Sequence, residues 1–238
     1  MELRYLKRRR KAAPAPSAEA VIARLLAGRP RGTVFDIGAN AGRFTKAMVR
    51  DLSPARVHAF EADRENFALL CGAVADLPSV TPHHLAMGET PGEQTFHINA
   101  ARIYNNSLLP SEENAASWAN IDHVGSETVR VVTVDSFCEA HGIDELDVLK
   151  INAEGADLMI LKGASRALAG RRIAIVYCEV LLKPIFAGQG RAEDFLRLMD
   201  GYGYEFFNVF GGRTSGAGQL IQTNMMFVRP DLTARTAM

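Results

Sequence analysis

The chain has 238 residues, 47% of them hydrophobic, and its 27 Lys plus Arg balance its 27 Asp plus Glu to a formal net charge of zero. That length supports one well-packed α/β domain and is short for two of ordinary size, while the balanced charge disfavours a nucleic-acid partner. No run approaches the roughly 18 apolar residues of a membrane span, and Cys71, Cys138 and Cys178 are widely spaced among apolar residues without metal-ligand spacing, which predicts a reduced, cytoplasmic protein.

Residues 1–16 carry Arg4, Lys7, Arg8, Arg9, Arg10 and Lys11 and close on Pro14-Ala15-Pro16, the pattern of a basic, disordered tail and linker. No apolar h-region follows, which argues against a secretory signal. Residues 17–230 read as a single domain, with 231–238 as a second tail. Within it, 17–26 predicts an amphipathic helix capped by Ser17. Strand-to-helix steps follow at 33–37 into 43–52 and at 56–60 into 64–75, with a third strand over 80–87. Such alternation predicts a parallel sheet with right-handed crossovers and a ligand at the carboxyl ends of its strands. Residues 94–99 and 128–133 then alternate like half-buried strands. They flank a polar stretch, around 100–126, that reads as an insertion covering the cleft. A helix over 135–141, a strand over 147–151, a helix over 155–168, a strand over 172–178 and a helix over 191–202 complete the body. The segments 204–209 and 224–228 close it as an antiparallel pair.

Val34-Phe35-Asp36-Ile37-Gly38-Ala39-Asn40-Ala41-Gly42 runs from a buried-type strand through a glycine turn into a helix start. This order builds a nucleotide cradle, because Gly permits close backbone approach and a helix N-terminus presents free N–H groups. The dinucleotide fingerprint has glycine where this chain has Asp36. A carboxylate there would repel a pyrophosphate and suit a ligand with a positive end, such as S-adenosylmethionine with its amino group and sulfonium. Gly38, Ala39, Asn40 and Gly42 then form the cradle. Glu61, a little under twenty residues beyond Gly42, stands where an acid accepts hydrogen bonds from two ribose hydroxyls. S-adenosylmethionine and NAD share that ribose, so Asp36 carries the choice between them. The bland alternatives are an ordinary tight turn and a helix cap at Glu61.

Asp36-Ile37-Gly38-Ala39-Asn40 with Ala59-Phe60-Glu61, then Thr133-Val134-Asp135-Ser136-Phe137 and Val148-Leu149-Lys150-Ile151-Asn152-Ala153-Glu154-Gly155-Ala156-Asp157, resembles the FkbM-type methyltransferases, from about residue 32 to 228. The resemblance implies an α/β, Rossmann-like class I methyltransferase fold, a mainly parallel doubly wound sheet with a closing antiparallel pair. It also implies S-adenosylmethionine as cofactor and O-methyl transfer to a hydroxyl of a sugar or natural product. Two positions depart from the family pattern: Asn152 stands where Asp is usual, and Ala62 where Pro commonly follows the ribose acid. Asn152 keeps open a catalytically silent S-adenosylmethionine-binding assembly subunit, and an NAD-dependent oxidoreductase is the other alternative.

A hydroxyl acceptor must lose its proton to a positioned base or a metal. Asn152, Glu154 and Glu179 fall at the expected ends of two strands beside the cofactor strand. Glu179 is the expected base, Asn152 the residue that hydrogen-bonds the acceptor, and His84 a weaker base. Asn106, Trp118 and Glu154 are assigned to the acceptor; Glu154 alternatively caps the next helix, and Trp118 alternatively anchors the insertion. No metal site is assigned, since an amide at 152 binds a cation less strongly than a carboxylate. The expected partner is a small-molecule or glycan acceptor, and a homo-oligomer is compatible with the sequence.

Overall fold

The computed structural model describes residues 15–99, 105–112, 121 and 123–236. In chain order its strands are β1 (Thr33–Ile37), β2 (Arg56–Glu61), β3 (Val80–His84), β4 (Ala86–Met87), β5 (Gly92–Asn99), β6 (His123–Val132), β7 (Leu146–Ile151), β8 (Ile173–Leu181), β9 (Glu205–Thr214) and β10 (Leu220–Val228). Its helices are α1 (Ala18–Leu25), α2 (Arg43–Leu52), α3 (Arg64–Val74), α4 (Val134–Ala140), α5 (Asp157–Lys162), α6 (Ser165–Ala169), α7 (Ala192–Gly201) and α8 (Pro230–Thr236).

A seven-stranded sheet runs β3-β2-β1-β7-β8-β10-β9. Its first five strands are parallel, and β10 lies antiparallel to both β8 and β9. All five residues of β1 are buried, as a central parallel strand with both faces covered requires. The period-2 alternation sorts the core into two layers. Val34, Val148 and Ile175 face a cluster with Ile22 of α1, Met48 of α2 and Leu232 of α8, whereas Phe35, Leu149 and Val176 face one with Phe137 of α4, Ile160 of α5 and Phe195 of α7. Ser17 caps α1 as expected, its Oγ accepting from Ala20 N at 3.2 Å.

Several boundaries differ from the sequence reading. The expected strand over 80–87 divides: β3 stays in the main sheet, and β4 joins a second sheet of order β4-β6-β5. β6 begins at His123, so the antiparallel β5–β6 pair absorbs the end of the expected insertion. The helix over 155–168 breaks into α5 and α6 at Gly163, where a Cβ would overlap the carbonyl oxygen of Gly88 and where the Gly163 carbonyl accepts from Asp135 N at 3.1 Å. The glycine thus seats the small sheet against the body. Strand β8 runs three residues past Cys178. Residues 231–238 are not a tail throughout, because α8 buries Leu232 completely. Trp118 and the basic residues 1–14 lie outside the described residues.

Candidate functional site

The glycine turn after β1 is built by backbone proximity. Gly38 has φ +68°, and a Cβ there would overlap the carbonyl oxygen of Asn152, so the ends of β1 and β7 touch main chain to main chain. Asn152 N donates to Ile37 O at 3.0 Å. The turn also grips β2: Ala39 N donates to Phe60 O at 2.9 Å, and Asn40 N to Glu61 Oε2 at 2.8 Å. Glu61 Oε1 accepts from Asp63 N at 2.9 Å. Burial raises the Glu61 carboxyl above its ordinary range, and these two N–H groups oppose the rise. Asp63, not Glu61, caps α3, its Oδ1 accepting from Asn66 N at 2.8 Å.

Asp36 does not meet a ligand. It is fully buried, its Oδ1 is 2.8 Å from Lys150 Nζ, and its Oδ2 accepts from Thr45 Oγ1 at 2.6 Å. Lys150 spends its N–H bonds on Ile37 O at 3.1 Å and Gly38 O at 2.8 Å, fastening the turn from below. The expected attraction between Asp36 and a sulfonium is therefore corrected: the lysine neutralises that carboxylate, and Asp36 shapes the cradle from behind it. Lys150 itself lines the cavity. The sequence reading missed it because the ion pair exists only through the register Asp36↔Lys150 of β1 and β7.

A cavity of about 480 Å³ opens at the carboxyl ends of β1, β2 and β7. Gly38, Ala39, Asn40, Glu61, Asn152, Glu154 and Asn106 line it, so most of the expected site residues are brought together. Gly42 is not on its wall; it serves as the N-cap of α2 in the left-handed conformation, φ +76°. Met87 of β4 and Phe96 of β5 add an apolar side.

Two further acids, Asp157 and Glu179, lie behind Glu154 of this wall. Burial, then the charge of Asp157, pushes the Glu154 carboxyl up to about 7. Burial likewise raises Asp157 to about 6, against the N–H bonds from Ala153 (3.1 Å to Oδ2) and Glu179 (3.1 Å to Oδ1). Glu179 is raised further, by burial and then by both neighbouring acids. It does not reach the cavity wall, which corrects its expected place at a strand mouth: β8 continues to Leu181, so Glu179 sits inside the sheet at 2% exposure. Its Oε1 accepts from Asn152 Nδ2 at 3.3 Å and from Gln222 Nε2. Glu154 does not cap the following helix, whose N-cap is Ala156.

His84 is also misplaced as a base. It is exposed, stacks on Phe67 with centroids 4.9 Å apart, has Nε2 3.0 Å from Ala62 O, and is absent from the cavity lining. Asn106 lines the cavity but has structural partners: its Oδ1 accepts from Asn99 N at 2.8 Å, and its Nδ2 donates to Asp63 Oδ2 at 3.2 Å. Next to it, Ser107 Oγ donates to Glu154 O at 2.7 Å, and the Asn105 N–H donates to the Glu154 carboxylate. Among the described residues no group of three His, Cys, Asp or Glu is arranged to hold a metal ion.

A family model described as the methyltransferase FkbM domain matches residues 36–206. The chain belongs to the FkbM methyltransferase family. This FkbM chain is 26% identical over 152 residues to the hexuronic acid methyltransferase AglP of Haloferax volcanii, covering 63% of this chain and 57% of that protein. It is 21% identical over 169 residues to the 2-O-methyltransferase NoeI of Sinorhizobium fredii, covering 68% of each. Among solved structures, methyltransferase FkbM of Methylobacillus flagellatus aligns with a TM-score of 0.49 and 19% identity, over 84% of this chain and 45% of that one. A precorrin-6y C5,15-methyltransferase of Geobacter metallireducens aligns with a TM-score of 0.46 and 10% identity, over 92% of both chains. The match places the chain in a methyltransferase family and counts against the NAD-dependent oxidoreductase considered from the sequence; the chain spans little more than half the length of the first of these relatives. No helix among the described residues is long and apolar enough to cross a membrane.

Proposed function

We propose that this FkbM methyltransferase uses S-adenosylmethionine and methylates a hydroxyl oxygen of a sugar or related natural product, with Glu154 as the base. The observation that carries the reading is that Glu61 and Glu154 front one and the same cavity. The residues present fit the cofactor. Each Glu61 oxygen has one backbone N–H bond and keeps a lone pair for a ribose hydroxyl. Gly38 offers bare backbone beside it, and Phe60 and Met87 offer an apolar wall for a flat base. When bound, S-adenosylmethionine supplies a methyl group carried on a sulfonium.

The chain's own residues supply orientation and proton removal. Asn152 commits its Nδ2 to Glu179, which leaves Oδ1 to accept from the acceptor hydroxyl. The Glu154 carboxylate takes that hydroxyl's proton, and a carboxyl near 7 suits a base working at neutral pH. Glu179 holds Asn152 in place. The name of one relative, a hexuronic acid methyltransferase, supports a sugar acceptor, and that of the other, a 2-O-methyltransferase, supports transfer to oxygen.

Isothermal titration with S-adenosylhomocysteine and with NAD, followed by mass spectrometry of a sugar panel after incubation with S-adenosylmethionine, tests the proposal. Micromolar binding of the homocysteine form, far weaker binding of NAD and a gain of one methyl on a hydroxyl are expected. Equal affinity for NAD would end it.

A further inference from the structure

Asp157 opens α5 at 1% exposure, and the proton removal described above does not use it. Glu154 and Gly155 both take left-handed φ values, +48° and +89°, so the chain doubles back and residue 157 comes beneath residue 153. There Asp157 Oδ2 accepts from Ala153 N at 3.1 Å, while Oδ1 accepts from Glu179 N at 3.1 Å. One carboxylate therefore ties the turn that carries Asn152 and Glu154 to the strand that carries Glu179.

These bonds also sort the charges of Glu154, Asp157 and Glu179. Asp157 is the acid of the three whose two oxygens each accept a backbone N–H, and such bonds favour the charged form. Glu179 takes both of its side-chain donors on Oε1, and its buried Oε2 has no partner among the described residues. An ionised Glu179 would bury a charged oxygen with no donor on it, so a proton belongs there. Asp157 is thus the standing anion of the group and Glu179 its neutral member. Other charges bearing on them are Lys150 of β7, already paired with Asp36 at 2.8 Å, and Arg213 of β9, which acts on Glu154. The thiol of Cys178, next to Glu179 on β8, is kept neutral by burial, with Asp157 and Glu179 adding to the effect.

We infer that Asp157 is a positioning residue for methyl transfer: it holds Asn152 and Glu154 in place and keeps beside Glu154 the negative charge that draws the acceptor's proton to it. The inference rests on the reading of Glu154 as the base. It divides the work of the turn, with Glu154 touching the acceptor and Asp157 acting through Glu154.

Carboxyl carbon NMR of the unmodified full chain with S-adenosylhomocysteine bound, its resonances assigned through the backbone, tests the charge assignment. Asp157 should lose its proton at lower pH than Glu154, and Glu179 should lose its own last. In Asp157→Asn, the Glu154 resonance should move to lower pH by about one unit or more. The acid limb of turnover, measured on a sugar that the panel shows to be methylated, should move with it, while S-adenosylhomocysteine affinity stays within about twofold. Asp157→Glu keeps the charge and should leave the limb in place while lowering turnover about tenfold, as misplacement of the reacting groups does. Thermal unfolding checks that each variant folds; where Asp157→Asn does not, the order of titration in the unmodified chain decides. An acid limb that stays in place in Asp157→Asn, or a Glu154 that loses its proton before Asp157, overturns the inference and leaves the base reading intact. An unmodified protein without an acid limb overturns both.

Discussion

At Glu154 the backbone adopts φ +48°, a left-handed conformation uncommon for a glutamate and held here by Ser107 on its carbonyl. Its carboxyl titrates near 7, above its ordinary 4.5, so the folded state binds a proton more tightly than the unfolded chain. Stability is then lost as pH rises from about 4.5 through about 7. Glu154→Gln should leave the melting temperature unchanged near pH 4.5 and raise stability at pH 8 by roughly 2–3 kcal/mol. The same change should cut turnover a hundredfold or more and abolish the fall in rate that the parent shows below pH 7. A variant less stable than its parent at pH 8, or one that keeps the acid limb, would remove Glu154 from the role of base. Lys150 makes the opposite case. Lys150→Met leaves Asp36 buried without its cation and should cost about 3–5 kcal/mol in denaturant unfolding. Adding Asp36→Asn should recover part of that loss, and full additivity of the two changes would contradict the pairing.

Elements place these residues, and α8 shows how remote the placement is. Leu232 is fully buried in the layer it shares with Ile22 of α1 and Met48 of α2. Leu232→Ala should destabilise by about 2–4 kcal/mol in thermal or denaturant unfolding; a change below about 0.5 kcal/mol would mean that α8 is not docked. The glycine cradle was legible in the sequence because its signals are local: Gly38, Asn40 and Glu61 act within one turn and the next strand. The parallel body of the sheet followed from the alternation of strands and helices. What was not legible depends on partners far along the chain. An acid inside a strand is disfavoured by burial alone, so Glu179 suggested a strand mouth. It is tolerated inside because Asn152 and Gln222, 27 and 43 residues away, both donate to it. Asp36 suggested a ligand contact because its lysine arrives 114 residues later, through strand register. The end at α8 lacked a signal because seven residues with one buried leucine carry little periodicity.

For the molecule as a whole, the main sheet is the floor of the cavity and the small sheet one of its sides, joined where Gly88 meets Gly163. The residues 105–109 cross between the two ends of the site. Asn106 is bonded to Asp63, which caps α3 beside Glu61, while Asn105 and Ser107 are bonded to Glu154. Five residues of chain therefore connect the surroundings of Glu61 with Glu154, the proposed nucleoside and base ends of the site. Under the reading proposed above, that connection predicts an order in time: the donor binds first, the acceptor second, and the spent donor leaves last. Initial-rate measurements should show S-adenosylhomocysteine competing with the donor but inhibiting noncompetitively against the acceptor. A dead-end acceptor analogue should inhibit uncompetitively against the donor, and noncompetitive inhibition there would mean that the two ends fill independently and that the crossing segment transmits nothing.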